Sequence, residues 1–313
     1  MTKKVIVPDK LSEDGKKVLT DHGFQLIEVP GTTPENILKY GKDADGMILF
    51  VDQIGESVIS QMPNLKIIAR HGVGYENVDL QASQRHGVWV TITPNANAST
   101  VAETTLADIF DLSKHLTTVT TEMRKGNYGY PLTHLGFDLA GKTLGILGYG
   151  RIGHWVAKKA SALDMRILIH NRTPKESPYG TFVDLDTLLA QSDVLTLHLA
   201  ATPATKHIID RTALSKMKSS SVIVNLGRGS LIDEQALIDA LKNQTIAGAA
   251  LDVFETEPLP KDSELFKLDN VLLTPHIGSS TIESFSRMAT DAANEVVRVL
   301  DGEQPKWPIN QVK

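Results

Sequence analysis

Gly148, Gly150 and Gly153 stand in G-x-G-x-x-G spacing within "TLGILGYGRIGHW". Between a strand and a helix such a loop has a definite chemistry. The first glycine permits a tight turn, the second lets a pyrophosphate reach the backbone, and the third lets helix and strand pack closely. Arg151 and Ile152 open the helix that follows, where N–H groups without intrahelical partners attract anions. A second apolar run, "MRILIH", completes the strand–loop–helix–strand context of a dinucleotide site. Its end raises the next question. Where an Asp or Glu would hold both ribose hydroxyls of NAD, the chain has Asn171, Arg172 and Thr173. A carboxylate there repels the extra phosphate of NADP by about 1–4 kcal/mol, depending on the local dielectric. Asn171 removes that charge, and Arg172 adds a permanently cationic fork suited to phosphate. NADP(H) is therefore the preferred cofactor in this reading and NAD(H) a possible one; the competing reading is a polar loop with no cofactor role.

Three further segments carry functional residue types, "NLGRGSLIDEQAL", "AALDVFETEPLP" and "LTPHIGSSTIES". Each follows an apolar run, and open parallel sheets collect ligands at the carboxyl ends of their strands.

The elements that must position these residues are legible as short branched runs alternating with amphipathic stretches. "KVIV", "FQLIEV", "GMILF", "LKIIA" and "VWVTI" form a first series, and "TLGIL", "MRILIH", "DVLTLHL", "SVIVNL", "IAGAAL" and "NVLLT" a second. The spacing is that of βα units, so the fold class is α/β with two parallel-sheet domains. A chain of 313 residues is long enough for two cores. Between the series runs "STVAETTLADIFDLSKHLTTVTTEMRKG", a long helix with Ser99 or Thr100 as N-cap and Glu103 near the capping-box position. A last helix, "TIESFSRMATDAANEVVRVLDG", precedes a polar tail.

Composition is that of an ordinary globular chain, 41% hydrophobic and 22% charged. A net charge of −5 offers no global attraction to nucleic acid or anionic membrane. The absence of cysteine excludes disulfides, thiolate nucleophiles and cysteine-ligated metals, and no metal is expected. The amino-terminal apolar stretch is too short for a signal peptide and no run reaches the length of a membrane span, so a cytoplasmic enzyme is expected.

Several motifs in order, "RHGVGYENVDL", "VAETTLA", the glycine loop and "TPHIGSST", make the chain similar over most of its length to the D-isomer-specific 2-hydroxyacid dehydrogenases. That group includes glyoxylate/hydroxypyruvate reductases and phosphoglycerate dehydrogenases. The resemblance implies two doubly wound domains: a Rossmann-type cofactor domain, residues 98–283, inserted into a flavodoxin-like substrate domain, residues 1–97 and 284–313. It places a catalytic arginine at Arg228, a glutamate at Glu257 and a histidine at His276. Reducing a 2-keto acid delivers hydride to carbon while the oxygen becomes a developing alkoxide, so a proton donor and a cation are needed together. His276 would supply the proton, Glu257 would favour the imidazolium and fix the ring, and Arg228 would grip the carboxylate and polarise the carbonyl. Taken singly, each of the three reads equally as a solvated loop residue.

The same resemblance assigns the acid end of the substrate to Val73 and Gly74, with Arg70 and His71 as neighbours, against the competing view of a tight connecting turn. It sets Thr104 and His198, the latter in "HLAATPAT", beside the cofactor; the second match is imperfect because proline is common where Ala200 stands. Asp252 is placed near the nicotinamide or, equally, in a structural role. Phosphoglycerate dehydrogenases usually carry an arginine in the segment equivalent to "MILFVDQIGESVI", which here offers Phe50, Val51 and Asp52, and the chain leaves no room for the regulatory domain some of them append. A small unphosphorylated acid such as glyoxylate or hydroxypyruvate is the expected substrate. Phosphoglycerate or phosphite oxidation, and a dinucleotide-sensing corepressor-like role, are the alternatives; formate oxidation is disfavoured by Glu257. The resemblance also implies domain closure over the substrate and a homodimer built on the long helix and the loop "GNYGYPLTHLGFDLAGK".

Overall fold

Short apolar runs buried on both faces yield two all-parallel sheets in the computed structural model, which describes residues 2–312. The described residues divide into two compact units, one running to Asn97 and resuming at Ser280, the other spanning Ala98–Ser279. The return falls ahead of the last helix, Ile282–Leu300, and not within its first turn at residue 284. Thr281 caps that helix by accepting the Ser284 N–H, so the rod begins intact beyond the break.

The first unit contains β1 (Lys4–Pro8), β2 (Gln25–Val29), β3 (Gly46–Leu49), β4 (Ile67–Arg70) and β5 (Trp89–Thr91), in the order β2-β1-β3-β4-β5. Successive residues serve opposite faces. Ile6, Met47, Leu49 and Ile68 enter one core, whereas Val5, Val7, Ile48, Ile67 and Ala69 enter the other. The helix Ile282–Leu300 seals the second face with Ala289, Ala292, Ala293 and Val296. Its alanines let it approach closely: a Cβ added to Gly15 would lie 2.7 Å from that of Ala289. The polar tail is docked at β5, where Asn310 accepts the Val90 N–H and donates to Val88 O.

The second unit contains β6 (Thr143–Leu147), β7 (Arg166–His170), β8 (Thr181–Phe182), β9 (Val194–Leu197), β10 (Val222–Asn225), β11 (Gly248–Leu251) and β12 (Val271–Leu273). Their order is β12-β11-β10-β9-β6-β7-β8, which reverses direction between β6 and β9, the switch point where doubly wound sheets bind ligands. Ile223, Ala249 and Leu251 face one core, and Val222, Val224 and Ala250 the other. All eleven strands expected from the sequence are present. β8 escaped because two residues show no period.

The long helix corrects the sequence reading in two ways. It breaks at His115, which adopts φ 55°, into Ala98–Lys114 and Leu116–Arg124. It also starts at Ala98, so Ser99 and Thr100 lie inside the first turn, not at its cap, and Ser99 Oγ donates to Glu103 Oε1 at 3.3 Å. Among the described residues no helix is long and apolar enough to cross a membrane.

Candidate active site

Within the second unit most candidate groups follow the carboxyl end of a strand, Thr104 on the helix Ala98–Lys114 excepted: Gly148 after β6, Asn171 after β7, His198 after β9, Arg228 after β10, Asp252 after β11 and His276 after β12. Parallel strands point these ends the same way, so the topology alone collects the groups on one edge of the sheet.

At the glycine loop the three glycines have different reasons. Gly148 has φ +104°, and a Cβ there would meet His198 O at 2.6 Å. A Cβ on Gly153 would lie 2.2 Å from Gly148 O, so this glycine sets the helix against the loop. Gly150 meets nothing within 4 Å, and it caps the helix Arg151–Ser161 without any side-chain hydrogen bond. Protein packing does not require glycine at 150; the space it leaves suits a phosphate over the helix N-terminus. Beside Gly148, His198 Nε2 lies 2.9 Å from Thr196 Oγ1 while its buried Nδ1 has no partner, and burial lowers its pKa to about 3. A neutral ring with a spare buried nitrogen and a cradle that any Cβ would fill together fit a bound dinucleotide. Asn171 is partly buried and internally committed: Oδ1 accepts the Tyr149 N–H at 3.2 Å, and Nδ2 donates to Thr173 O at 2.8 Å. Asp could accept the first bond but not donate the second. Arg172 and Thr173 are exposed.

Side chains and loop closure build the other end of the site. Asn225 is 1% exposed and makes an Asx turn, accepting the Gly227 N–H at 3.0 Å and donating to Arg228 O at 3.0 Å. Arg228 Nη1 donates to Gly227 O at 2.7 Å. A Cβ on Gly229 would lie 1.9 Å from Phe254 C and O, so glycine here presses the arginine loop against the segment leading to Glu257. Glu257 Oε1 accepts the Phe254 N–H at 3.1 Å, and its Oε2 accepts from His276 Nδ1 at 2.7 Å. The consequences are electrostatic. Burial opposes the charge on Glu257, but the bonds from His276 and Phe254 outweigh it, and the carboxyl sits below its ordinary pKa. The Glu257 hydrogen bond is the largest influence on His276 and overrides burial and the Arg228 charge, raising its pKa. With Nδ1 engaged, Nε2 is the ring nitrogen left to face a substrate.

His276 adopts φ 55°, a left-handed conformation that a bulky residue holds only when its surroundings impose it. Asp252 does so. It is 1% exposed; Oδ1 accepts from Thr274 Oγ1 and the Ile277 N–H, both at 2.7 Å, and Oδ2 accepts the Gly278 N–H at 2.8 Å. Its own carbonyl accepts the His276 N–H at 2.9 Å. Of its two expected roles, the structural one accounts for every bond its carboxylate makes. Thr104 Oγ1 lies 3.0 Å from Gly278 O and 3.2 Å from Thr100 O, tying the helix Ala98–Lys114 to the same loop. One turn further along, Asp108 is 5% exposed with its Oδ2 unpartnered. Burial, then the charges of Asp252 and Asp111, push its pKa up to about 7.

In the first unit the loop after β4 carries Val73 and Gly74. Arg70 is buried and braces the loop, Nε donating to Gly74 O at 2.8 Å and Nη1 to Leu49 O at 2.7 Å. His71 lies between the rings of Phe50 and Phe285, and burial takes its pKa down to about 4. Asp52 is turned toward Thr32, accepting from its N–H at 3.1 Å and Oγ1 at 2.6 Å. Asn225, Gly229 and Tyr149 were missed from sequence. The Asn-x-Gly spacing of residues 225–227 is an Asx-turn signal that could have found the first.

Residues 106–278 match the family model "D-isomer specific 2-hydroxyacid dehydrogenase, NAD binding domain". The chain is 40% identical over 98% of its length to a glyoxylate reductase of Thermofilum pendens, of which it covers 94%. It is 39% identical to the D-3-phosphoglycerate dehydrogenase of Methanocaldococcus jannaschii, using 98% of this chain but spanning only 59% of that longer protein. Among solved structures, the NADPH-dependent glyoxylate/hydroxypyruvate reductase of Sinorhizobium meliloti in complex with NADP and malonate superposes with a TM-score of 0.87 at 28% identity, covering 99% of this chain and 97% of that one.

Proposed function

The chain belongs to the D-isomer-specific 2-hydroxyacid dehydrogenase family, and within that family we propose an NADPH-preferring reductase of a short unphosphorylated 2-keto acid, glyoxylate or hydroxypyruvate. The carrying observation is the 2.7 Å bond between His276 Nδ1 and Glu257 Oε2, which holds a protonatable ring with Nε2 outward. In this reading His276 gives its proton to the carbonyl oxygen as that oxygen gains charge. Glu257 keeps the ring charged until transfer, and Arg228 holds the substrate carboxylate and stabilises the developing alkoxide. Backbone N–H groups at Val73 and Gly74 bind the acid end. The glycine loop, Arg151, Ile152, His198 and Thr104 serve the dinucleotide, which when bound supplies the hydride. The unit Ala98–Ser279 is then the cofactor domain and the other unit the substrate domain.

Cofactor choice rests on Asn171 and Arg172, a neutral amide followed by an exposed guanidinium where a ribose-binding carboxylate would stand. Similarity to an NADPH-dependent reductase supports it. Substrate choice rests on similarity to glyoxylate reductases and on Asp52, an acid where a phosphorylated substrate would need a base. A homodimer is part of the same reading. The helix Leu116–Arg124 buries none of its residues, and Tyr128, Leu132 and Leu135 are at least 80% exposed, an apolar strip suited to a second copy.

One kinetic panel tests the proposal: glyoxylate, hydroxypyruvate and 3-phosphohydroxypyruvate against NADPH and NADH. The expected result is the highest kcat/KM with NADPH and an unphosphorylated acid. Higher efficiency with NADH rejects the cofactor assignment, and higher efficiency with the phosphorylated acid rejects the substrate. Dinucleotide binding without turnover of any keto acid favours a sensor.

A further inference from the structure

Tyr149 lies between the first two glycines of the loop and is only 6% exposed. It touches both ends of the segment that follows β7. Its backbone N–H donates to Asn171 Oδ1 at 3.2 Å, and its hydroxyl shares a 2.7 Å hydrogen bond with Ser177 Oγ. Ser177 Oγ also accepts the Tyr179 N–H at 3.2 Å, and His154 Nδ1 lies 3.3 Å from the Tyr149 hydroxyl. The ring stands edge-on to Phe182 at 5.5 Å. Between these anchors run five exposed residues without regular secondary structure: Arg172, Thr173, Pro174, Lys175 and Glu176. Holding each such residue in one conformation costs backbone entropy, which a ligand must otherwise supply on binding. Apolar packing of the Tyr149 ring would be served equally by phenylalanine. The hydroxyl bond to Ser177 needs a different reason.

We propose that Tyr149 is a positioning residue for a phosphomonoester subsite on residues 172–176, clamping the segment at Asn171 and Ser177 so that Arg172 and Lys175 are presented to the ribose 2′-phosphate. The proposal rests on the NADPH reading and adds the device that pre-orders the site. Its signature is selective: losing the clamp weakens recognition of the 2′-phosphate while leaving the rest of the dinucleotide site intact.

The test is calorimetric and needs no turnover. Adenosine 2′,5′-bisphosphate and adenosine 5′-monophosphate are titrated into the wild-type protein and into Tyr149→Phe, Ser177→Ala and Ser177→Thr. The wild type should prefer the bisphosphate by about tenfold or more, as expected for a charge-assisted phosphate contact. Tyr149→Phe and Ser177→Ala should each cut bisphosphate affinity about fivefold, the worth of one hydrogen bond, with monophosphate affinity within about twofold of wild type. Ser177→Thr keeps the hydroxyl and should restore the preference. In an Arg172→Ala, Lys175→Ala background Tyr149→Phe should change nothing further, because the clamp acts through those two cations. A wild type that prefers the bisphosphate, with that preference unchanged in both hydroxyl-deleting variants, overturns the clamp and leaves the cofactor reading standing. Equal loss for both nucleotides makes Tyr149 merely structural and also overturns it. A wild type with no preference rejects the NADPH reading and the subsite with it.

Discussion

The two ends of the site in the second unit are built on opposite principles. At the glycine loop, the proposed nucleotide end, the defining features are backbone. Gly148 turns with a positive φ, Gly153 lets a helix touch the loop, and Gly150 is empty space. At the His276 end the working parts are side chains held by other side chains: Glu257 grips the ring, and Asp252 gathers three donors to fix a residue in the left-handed region. A diphosphate is recognised by shape and by a row of N–H groups, so removing atoms suffices. Proton transfer needs one ionisable group at one place with a tuned pKa, and that requires partners.

This contrast can be broken experimentally. The largest effect is expected from Arg228→Ala, which should lower kcat/KM about a thousandfold, as when a donor to a developing oxyanion is deleted. Circular dichroism and thermal midpoint should stay unchanged. Retention of full activity would remove Arg228 from the chemistry. Next comes a pair of alanine substitutions. Gly153→Ala should cost about 1–3 kcal/mol of stability, because its Cβ meets Gly148 O at 2.2 Å. Gly150→Ala should leave the melting temperature in place while dinucleotide affinity falls about tenfold, a cost of roughly 1.4 kcal/mol. Equal melting losses for the two would mean that Gly150 also serves packing, and the contrast fails. The smallest effect concerns pH. His276 must carry its proton, so reduction fades as pH rises through a pKa that Glu257 holds up. In Glu257→Gln the alkaline limb of kcat/KM should move to lower pH, because the hydrogen bond and charge that hold the His276 proton are weakened, with activity recovered toward lower pH. A uniform loss at every pH would assign Glu257 to orientation alone.

The glycine loop was readable in advance as a strand–loop–helix turn because its rule is local: three glycines at fixed spacing between one strand and one helix. The His276 end was readable only through family resemblance, since Arg228, Glu257 and His276 are distant in sequence and individually resemble loop residues. What escaped is what depends on tertiary partners. Nothing in "AALDV" shows that Asp252 will meet Thr274, Ile277 and Gly278. Gly229 looks like any loop glycine until Phe254 is seen against it. The helix from Ala98 was placed well but its cap was not, because Ser99 and Thr100 are good caps wherever they stand and local propensity cannot choose between adjacent turns. The break at His115 carries neither proline nor glycine to announce it.

Asp108 makes folding itself a proton-linked event. An unfolded aspartate titrates near 4, whereas this one holds its proton to about 7. Its contribution is therefore fully present below pH 4 and is surrendered as the medium is brought up through neutrality, a drain on the order of a few kcal/mol. Asp108→Asn should flatten that slope, melting higher than the parent at pH 8 and alike at pH 4; parallel melting curves across the range would show the carboxyl to be titrating normally. Across that interval the Asp108 carboxyl favours the folded unit as pH falls, while the buried neutral ring of His198 favours it as pH rises, so two groups of one unit pull its stability in opposite directions.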